Sequence, residues 1–179
     1  MNKTLFYPQN VIKFCPSCWS EKFNFFLKNR FSCQKCKFVF YYNPVCGVMA
    51  IIKDNKWKIL MTKRSDDPWK WELDLPWWFV DIGETIEDAL KREVKEELNL
   101  EITSIKYWKS FPNEYIYKWI MYFPLDFIFE CEIRNLYDIV AGDDVSWYAF
   151  IDPKKIDINN ITSKSLPNII KEYIKICDI

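Results

Sequence analysis

Apolar and polar positions along this chain follow two rhythms. Val45 to Ile52 is an almost unbroken apolar run of strand length. Lys58 to Thr62 is a second strand-like run, and Asp54-Asn55-Lys56 between them predicts a turn. Past Thr85 the period changes: Leu90, Val94 and Leu98 recur every four residues, as on the apolar stripe of an amphipathic helix. Thr85 followed by Asp88 approximates a capping box at the start of that helix. Ile102 to Lys109 reads as a strand again, and Phe111 to Trp119 as an aromatic, turn-rich stretch. Ile120 to Ile133 predicts one or two strands, Trp147 to Ile151 another, and Ser165 through Cys177 a closing helix with Pro167 in its first turn. Near the front, Glu21 to Phe31 reads as a hairpin of short strands. Asn43-Pro44 marks the expected junction between residues 1–42 and 43–179. No apolar run reaches the length of a membrane span, and the first ten residues lack the apolar stretch of a signal peptide. A soluble, cytoplasmic protein is the expectation.

Composition narrows the chemistry. A length of 179 residues suits one ordinary domain with a small module attached. The 25 basic residues balance 25 acidic ones, so no sequence-wide positive field favours nucleic acid or a membrane surface. Half the residues are hydrophobic, enough for a packed core. Histidine is absent. That excludes Ser-His-Asp and Cys-His catalysis and every imidazole metal ligand. A metal here must sit on thiolate, carboxylate or backbone oxygen.

Four of the seven cysteines form two tight pairs, Cys15-Pro-Ser-Cys18 and Cys33-Gln-Lys-Cys36. Each C-x2-C pair reaches two corners of a tetrahedron from a single turn, which is the spacing of a zinc site. Four thiolates leave no open coordination position, so such a zinc holds a small ribbon together and does not catalyse. Two disulfides are the alternative, and they need an oxidising compartment. Cys46, Cys131 and Cys177 stand among Val, Ile and Phe and read as small buried hydrophobes. The lysines and aromatic residues between the pairs could touch nucleic acid, but covering a core too small to close itself explains them better.

The predicted helix carries Glu93 and Glu97 four residues apart, with Glu96 beside them. Three carboxylates in little more than one turn repel one another. Either water and the neighbouring Lys91, Arg92 and Lys95 neutralise them, or a hard divalent cation does. A loop entering this helix brings backbone groups beside the acids, as a phosphate-metal site requires.

The segment from residue 78 to Leu100 resembles the Nudix box, G-x5-E-x7-R-E-U-x-E-E-x-G-U, where U is aliphatic. Glu84, Arg92, Glu93, Val94, Glu96, Glu97 and Leu100 match. Trp78 stands where the first Gly belongs and Asn99 at the second, Asn being the substitute best suited to a left-handed helix end. The resemblance covers roughly residues 43 to 151, and zinc ribbons ahead of Nudix domains are familiar in that superfamily. It implies a Nudix α/β/α sandwich with a mixed sheet, preceded by a rubredoxin-like ribbon on Cys15, Cys18, Cys33 and Cys36. It implies Mg2+ (or Mn2+) held by Glu93, Glu96 and Glu97, with Glu84 and Arg92 bracing the loop against the helix. The implied activity is hydrolysis of a nucleoside diphosphate linked to another group, the cation polarising a phosphoryl oxygen and activating water. Glu93, Asp143 and Asp144 all stay open as the general base. An NADH-specific S-Q-P-W-P-F-P-x-S motif is missing, so ADP-ribose-like and NAD(H)-like substrates are comparably plausible. Tyr115 and Tyr117 could face a base, although alternating strand residues of this kind usually pack. Association with a second copy is compatible with the sequence. The rival expectations are a nucleotide-sensing module impaired in catalysis and a zinc-ribbon protein that trims RNA ends.

One anomaly cuts across these readings: three glycines stand beside nine tryptophans, where a chain of this length carries about 12 glycines. Trp19, Trp57, Trp69, Trp71, Trp77, Trp78, Trp108 and Trp119 occupy places where knuckles, turns and the Nudix loop use glycine, Trp108 least clearly. Only Trp147, in an aromatic strand, looks native to its site. The expectation is that these are glycines encoded by UGA and rendered as Trp. A genuine aromatic surface for stacking on a base is the competing explanation.

Overall fold

The computed structural model describes residues 3–26, 29–65, 70–142, 145–161 and 163–176. Trp69, Asp143, Asp144 and Cys177, all singled out above, lie outside them. The chain divides into two compact units, residues 1–44 with 115–123, and residues 45–114 with 124–179.

The first unit opens with a short helix α1 (Pro8–Val11), started by Pro8 in its first turn. Three short antiparallel strands follow: β1 (Phe23–Phe26), β2 (Arg30–Cys33) and β3 (Val39–Tyr41), in the order β1-β2-β3. Phe23 stacks on Phe31 at 5.2 Å, and both pack with Cys15 and Cys33 in a core of only a few buried side chains. So small a core needs a covalent or metal staple to hold.

The second unit is built around β4 (Val45–Ile52), whose last six residues are buried. Its continuous apolar run follows from burial on both faces. β5 (Ile59–Arg64) returns from it, and β6 (Leu73–Asp74) and β7 (Trp77–Phe79) lead into helix α2 (Ile86–Leu98). β8 (Ile102–Pro112) follows. Next comes the hairpin β9 (Tyr115–Tyr117) and β10 (Ile120–Tyr122), which belongs to the first unit. β11 (Pro124–Ile133), β12 (Val145–Ile151) and helix α3 (Leu166–Ile176) complete the chain. The main sheet has the order β7-β4-β11-β8. β11 runs parallel to β4 and antiparallel to β8, so the sheet is mixed. A second sheet, β12-β5-β6, is antiparallel.

Alternation along β4 separates two cores. Val48, Ala50 and Ile52 pack with Leu90, Val94 and Leu98 of α2. Met49 and Ile51 pack with Ile169, Ile170 and Tyr173 of α3. Helices therefore cover both faces of the sheet, the sandwich that the sequence implied. Cys131 is buried as expected, whereas Cys46 is exposed. Cys46 precedes the buried part of β4, which is the physical reason for the difference.

Candidate active site and cysteine centre

Capping defines both ends of α2. Thr85 Oγ1 accepts from the Asp88 N–H at 3.1 Å, and the Thr85 hydroxyl donates to Asp88 Oδ2 at 2.7 Å. At the far end Asn99 adopts a left-handed conformation, φ 55° and ψ 21°, and its N–H returns to the Lys95 carbonyl at 3.0 Å. The Leu100 N–H reaches back to the Val94 carbonyl at 3.3 Å, closing the helix in the manner usual with glycine. Asn99 thus performs the turn for which its position in the box calls.

Arg92 organises the acidic residues. Its Nε and Nη2 donate to the two oxygens of Glu84, each at 2.9 Å. Nη1 donates to Glu93 at 2.7 Å and to Glu96 at 3.2 Å, and Asp81 lies 3.7 Å from Nη2. Glu84 itself is tied into the loop: its N–H donates to the Asp81 carbonyl at 3.2 Å, and its carboxylate accepts from the Asp81 N–H at 3.4 Å. The bond to Arg92 holds the Glu84 carboxyl below its ordinary value. Burial raises Glu93 above its ordinary value; Arg92 pulls against that rise, and Glu96 and Asp81 add to it. One guanidinium thus serves four acids, and Glu97, buried on the same helix, makes a fifth. Carboxylate oxygens are the donors that a hard divalent cation prefers. Glu93 and Glu96 are both held on Arg92 Nη1, however, and among the described residues the three glutamates are not grouped as metal ligands.

The last turn of α2 also anchors a later loop. The Val140 and Gly142 N–H groups donate to the carbonyls of Leu98 and Glu97 at 3.0 and 2.9 Å. The residues that follow Gly142 are Asp143 and Asp144, beyond the described part of the loop.

The approach to α2 is a strand, β7, and its two tryptophans face opposite sides of the sheet. Trp78 is buried beneath α2, and its indole Nε1 has no hydrogen-bond partner. Trp77 Nε1 donates to Asp126 Oδ1 at 2.8 Å, and the Ser165 hydroxyl donates to Asp126 Oδ2 at the same distance. Burial raises the Asp126 carboxyl, against the lowering bonds from Trp77, Ser165 and Asn113. Asp74 is also buried, and its Oδ1 has no partner. Burial pushes Asp74 up to about 7; Arg64 opposes the shift and Asp126 adds to it. Sequence reasoning passed over this pair. The available signal was a single carboxylate inside an apolar strand, in Pro124-Leu-Asp-Phe-Ile-Phe.

In the first unit the four expected cysteines come together. Cys15 and Cys36 Sγ lie 3.7 Å apart, as do Cys18 and Cys33 Sγ, and all four sulfurs lie within 4.8 Å of one another. A tetrahedron with metal–sulfur bonds of about 2.3 Å has edges of about 3.8 Å, so the spacing fits zinc. The Cys36 N–H, 3.5 Å from Cys33 Sγ, draws the Cys33 thiol down to about 6, against the effect of burial. Both knuckles turn alike: the Trp19 N–H returns to the Cys15 carbonyl at 2.8 Å, and the Lys37 N–H to the Cys33 carbonyl at 3.0 Å. Among the described residues this is the group of three or more such side chains placed to hold a metal ion.

A mixed sheet between helices, with an arginine-braced acidic helix fed by a short loop, defines a class. The chain belongs to the Nudix family, whose NUDIX domain model matches residues 44–169. It is 34% identical over 144 residues to the ADP-ribose pyrophosphatase of Methanocaldococcus jannaschii, the match covering 78% of each chain. It is 29% identical over 119 residues to the NAD-capped RNA hydrolase NudC of Vibrio parahaemolyticus. That match covers 65% of this chain and 44% of the relative, so the chain spans less than half of that protein. A crystal structure of a NUDIX hydrolase from Nitrosomonas europaea superposes with a TM-score of 0.63 at 24% identity, covering 91% of this chain and 90% of that one. Among the described residues no helix is long and apolar enough to cross a membrane.

Proposed function

We propose that this protein is a magnesium-dependent pyrophosphohydrolase of nucleoside diphosphates joined to a second group, with ADP-ribose- or NAD(H)-like substrates. In this reading Glu93, Glu96 and Glu97 hold Mg2+ or Mn2+. Glu84 and Arg92 position the loop, and Cys15, Cys18, Cys33 and Cys36 hold a structural zinc. A divalent cation bound at the glutamates supplies charge neutralisation for the diphosphate and an acidified water. Water attacks one phosphorus, the P–O–P bridge breaks, and the products are a nucleoside monophosphate and a phosphorylated remainder. The observation that carries the reading is the grip of Arg92 on Glu84, which fastens the incoming loop to the helix that bears the three acids. The resemblance to an ADP-ribose pyrophosphatase over most of both chains supports the substrate class. Two C-x2-C pairs grouped to hold a metal suit a reducing compartment, so the cytoplasm is the proposed location.

The test is a panel of ADP-ribose, NADH, nucleotide sugars and dinucleoside polyphosphates. Phosphate released after phosphatase treatment is measured with and without magnesium. Both the chain as written and its Trp78→Gly variant are assayed, each with a Glu97→Gln control. Turnover that requires magnesium and Glu97 is expected. No turnover by either chain, or turnover indifferent to Glu97→Gln, sinks the proposal. One comparison favours a second reading: the NudC relative is named for NAD-capped RNA. A capped oligonucleotide in the same panel, cleaved in preference to free NADH, would establish it.

A further inference from the structure

Seven described residues other than glycine hold a positive φ: Trp19, Lys37, Trp57, Trp71, Asn99, Lys118 and Trp119. Four of the seven are tryptophan, in a chain where nine residues of 179 are. In this region the Cβ of an L-residue crowds its own backbone. Glycine escapes that penalty, Asn tolerates it, and a bulky ring is poorly suited. The contacts of these indoles are at the surface, Trp57 beside Lys53, Trp71 beside Lys70 and Trp119 beside Phe6, and all four remain between 59% and 76% exposed.

Each of the four stands where a turn has a specific need. Trp119, φ 72°, follows Lys118, φ 43°, in the two-residue loop between paired Tyr117 and Ile120. Two successive positive φ values define a type I′ hairpin turn, whose second position is typically glycine. Trp57, φ 62°, closes a three-residue loop: its N–H donates to the Asp54 carbonyl at 3.2 Å, and the Asp54 N–H donates to the Lys58 carbonyl at 2.9 Å. That is the left-handed position after a type I turn, again a glycine place. Trp71, φ 69°, sends its N–H back to the Arg64 carbonyl at 3.0 Å just before β6. Trp19, φ 56°, closes the first cysteine knuckle, and Lys37, φ 64°, closes the second in the same way. The knuckle therefore demands the left-handed turn. The anomaly lies in the residue that makes it.

Trp78 fails for a different reason, being buried with an indole N–H that has no partner. Trp108 and Trp147 behave as tryptophans should. Trp108 lies in β8, packed on Phe111 and Tyr173 at 5.9 and 5.7 Å. Trp147 lies within the strand β12 and is not among the residues of positive φ. Trp77 is bonded through its N–H, so the structure supplies no separate reason for glycine there.

We infer that the natural protein carries glycine at positions 19, 57, 71, 78 and 119, encoded by UGA in a cell that reads this codon as glycine, and tryptophan at 108 and 147. One change of codon assignment accounts for the scarcity of glycine and for four misplaced indoles in unrelated turns. It stands whatever substrate the protein hydrolyses.

Sequencing the gene is the first test. The expected result is UGA at those five positions and UGG at 108 and 147. UGG at any of the four left-handed positions, or UGA at 108 or 147, overturns the assignment. Peptide mass spectrometry of the protein isolated from its own cells is the second. Peptides covering positions 19 and 119 are expected to carry the mass of glycine, and the mass of tryptophan at either overturns the inference even where the codon is UGA. A recombinant chain with Trp19→Gly, Trp57→Gly, Trp71→Gly and Trp119→Gly is expected to melt at higher temperature than the chain as written. An equal or lower melting temperature counts against it.

Discussion

Arg92 grips Glu84 across eight residues of sequence, Nε on one carboxylate oxygen and Nη2 on the other, both at 2.9 Å. The pairing converts an exposed loop into an extension of α2, because Glu84 is also bonded to the Asp81 backbone. The remaining guanidinium nitrogen, Nη1, spaces Glu93 from Glu96. A planar fork is needed to serve both sides at once.

Replacing the fork with a point charge therefore separates the two duties. Arg92→Lys retains the positive charge but cannot hold both Glu84 oxygens while also reaching Glu93. We expect kcat/KM to fall on the order of 10²-fold, with magnesium affinity changed much less. Steady-state kinetics and a magnesium titration followed by fluorescence provide the check. A lysine variant with unaltered kcat/KM would show that loop bracing is irrelevant to turnover.

The first unit has few buried side chains, and its four sulfurs are spaced for a tetrahedral ion. Its stability is therefore expected to depend on metal. The purified chain should contain a single zinc ion, released when thiol reagents titrate the cysteines. Cys33→Ser should abolish zinc retention and expose residues 3–44 to protease, while 45–114 resists. A Cys33→Ser chain as protease-resistant as the parent would remove zinc from the account of this unit.

How much of this arrangement could be read in advance depends on whether local or distant neighbours determine it. The helix at Ile86–Leu98, its cap at Thr85 and its left-handed exit at Asn99 follow from residues within one turn of one another, and all were legible. So was β4, whose apolar run agrees with burial on both faces. The grouping of four cysteines was legible because each C-x2-C pair encodes its own turn. The strands β6 and β7 were not, being only two and three residues long and existing through pairing with β5 and β4. Nor could sequence assign the β9–β10 hairpin to the first unit, since its own pattern is merely strand, turn, strand. Arg92 was expected to brace the loop, or with Lys91 and Lys95 to neutralise the acids. Its simultaneous hold on Glu93 and Glu96 depends on side-chain geometry that periodicity does not encode.

Asp74 offers a test by pH. Its folded value, raised to about 7 by burial, lies above the ordinary 3.8, so the folded protein binds this proton more tightly than the unfolded chain. The resulting stabilisation is complete below 3.8 and is lost as pH rises through about 7. At about 1.4 kcal/mol per pH unit, the loss amounts to roughly 4 kcal/mol. Arg64 limits it, whereas Glu72 and Asp126 add to it. Asp74→Asn should flatten the dependence of Tm on pH between 4 and 7 and raise Tm at pH 8. The check is a series of thermal melts across that range. An unaltered slope would mean that this carboxyl is solvated in the folded protein.

The last expectation concerns Trp78, which heads the segment between β7 and the acidic helix. The residue is buried, pairs with Val48 of β4, and holds an unmet N–H among the side chains beneath α2. Glycine in its place would remove the indole from beneath α2 and give the backbone at the start of the loop more freedom. The chain as written should therefore bind nucleotide while turning it over poorly. Trp78→Gly should raise magnesium-dependent kcat/KM on the order of 10²-fold. Trp78→Ala separates removal of bulk from release of the backbone, since alanine supplies the first without the second. If alanine restores as much activity as glycine, side-chain volume is the whole cause; if neither restores any, the indole at position 78 was never the obstacle.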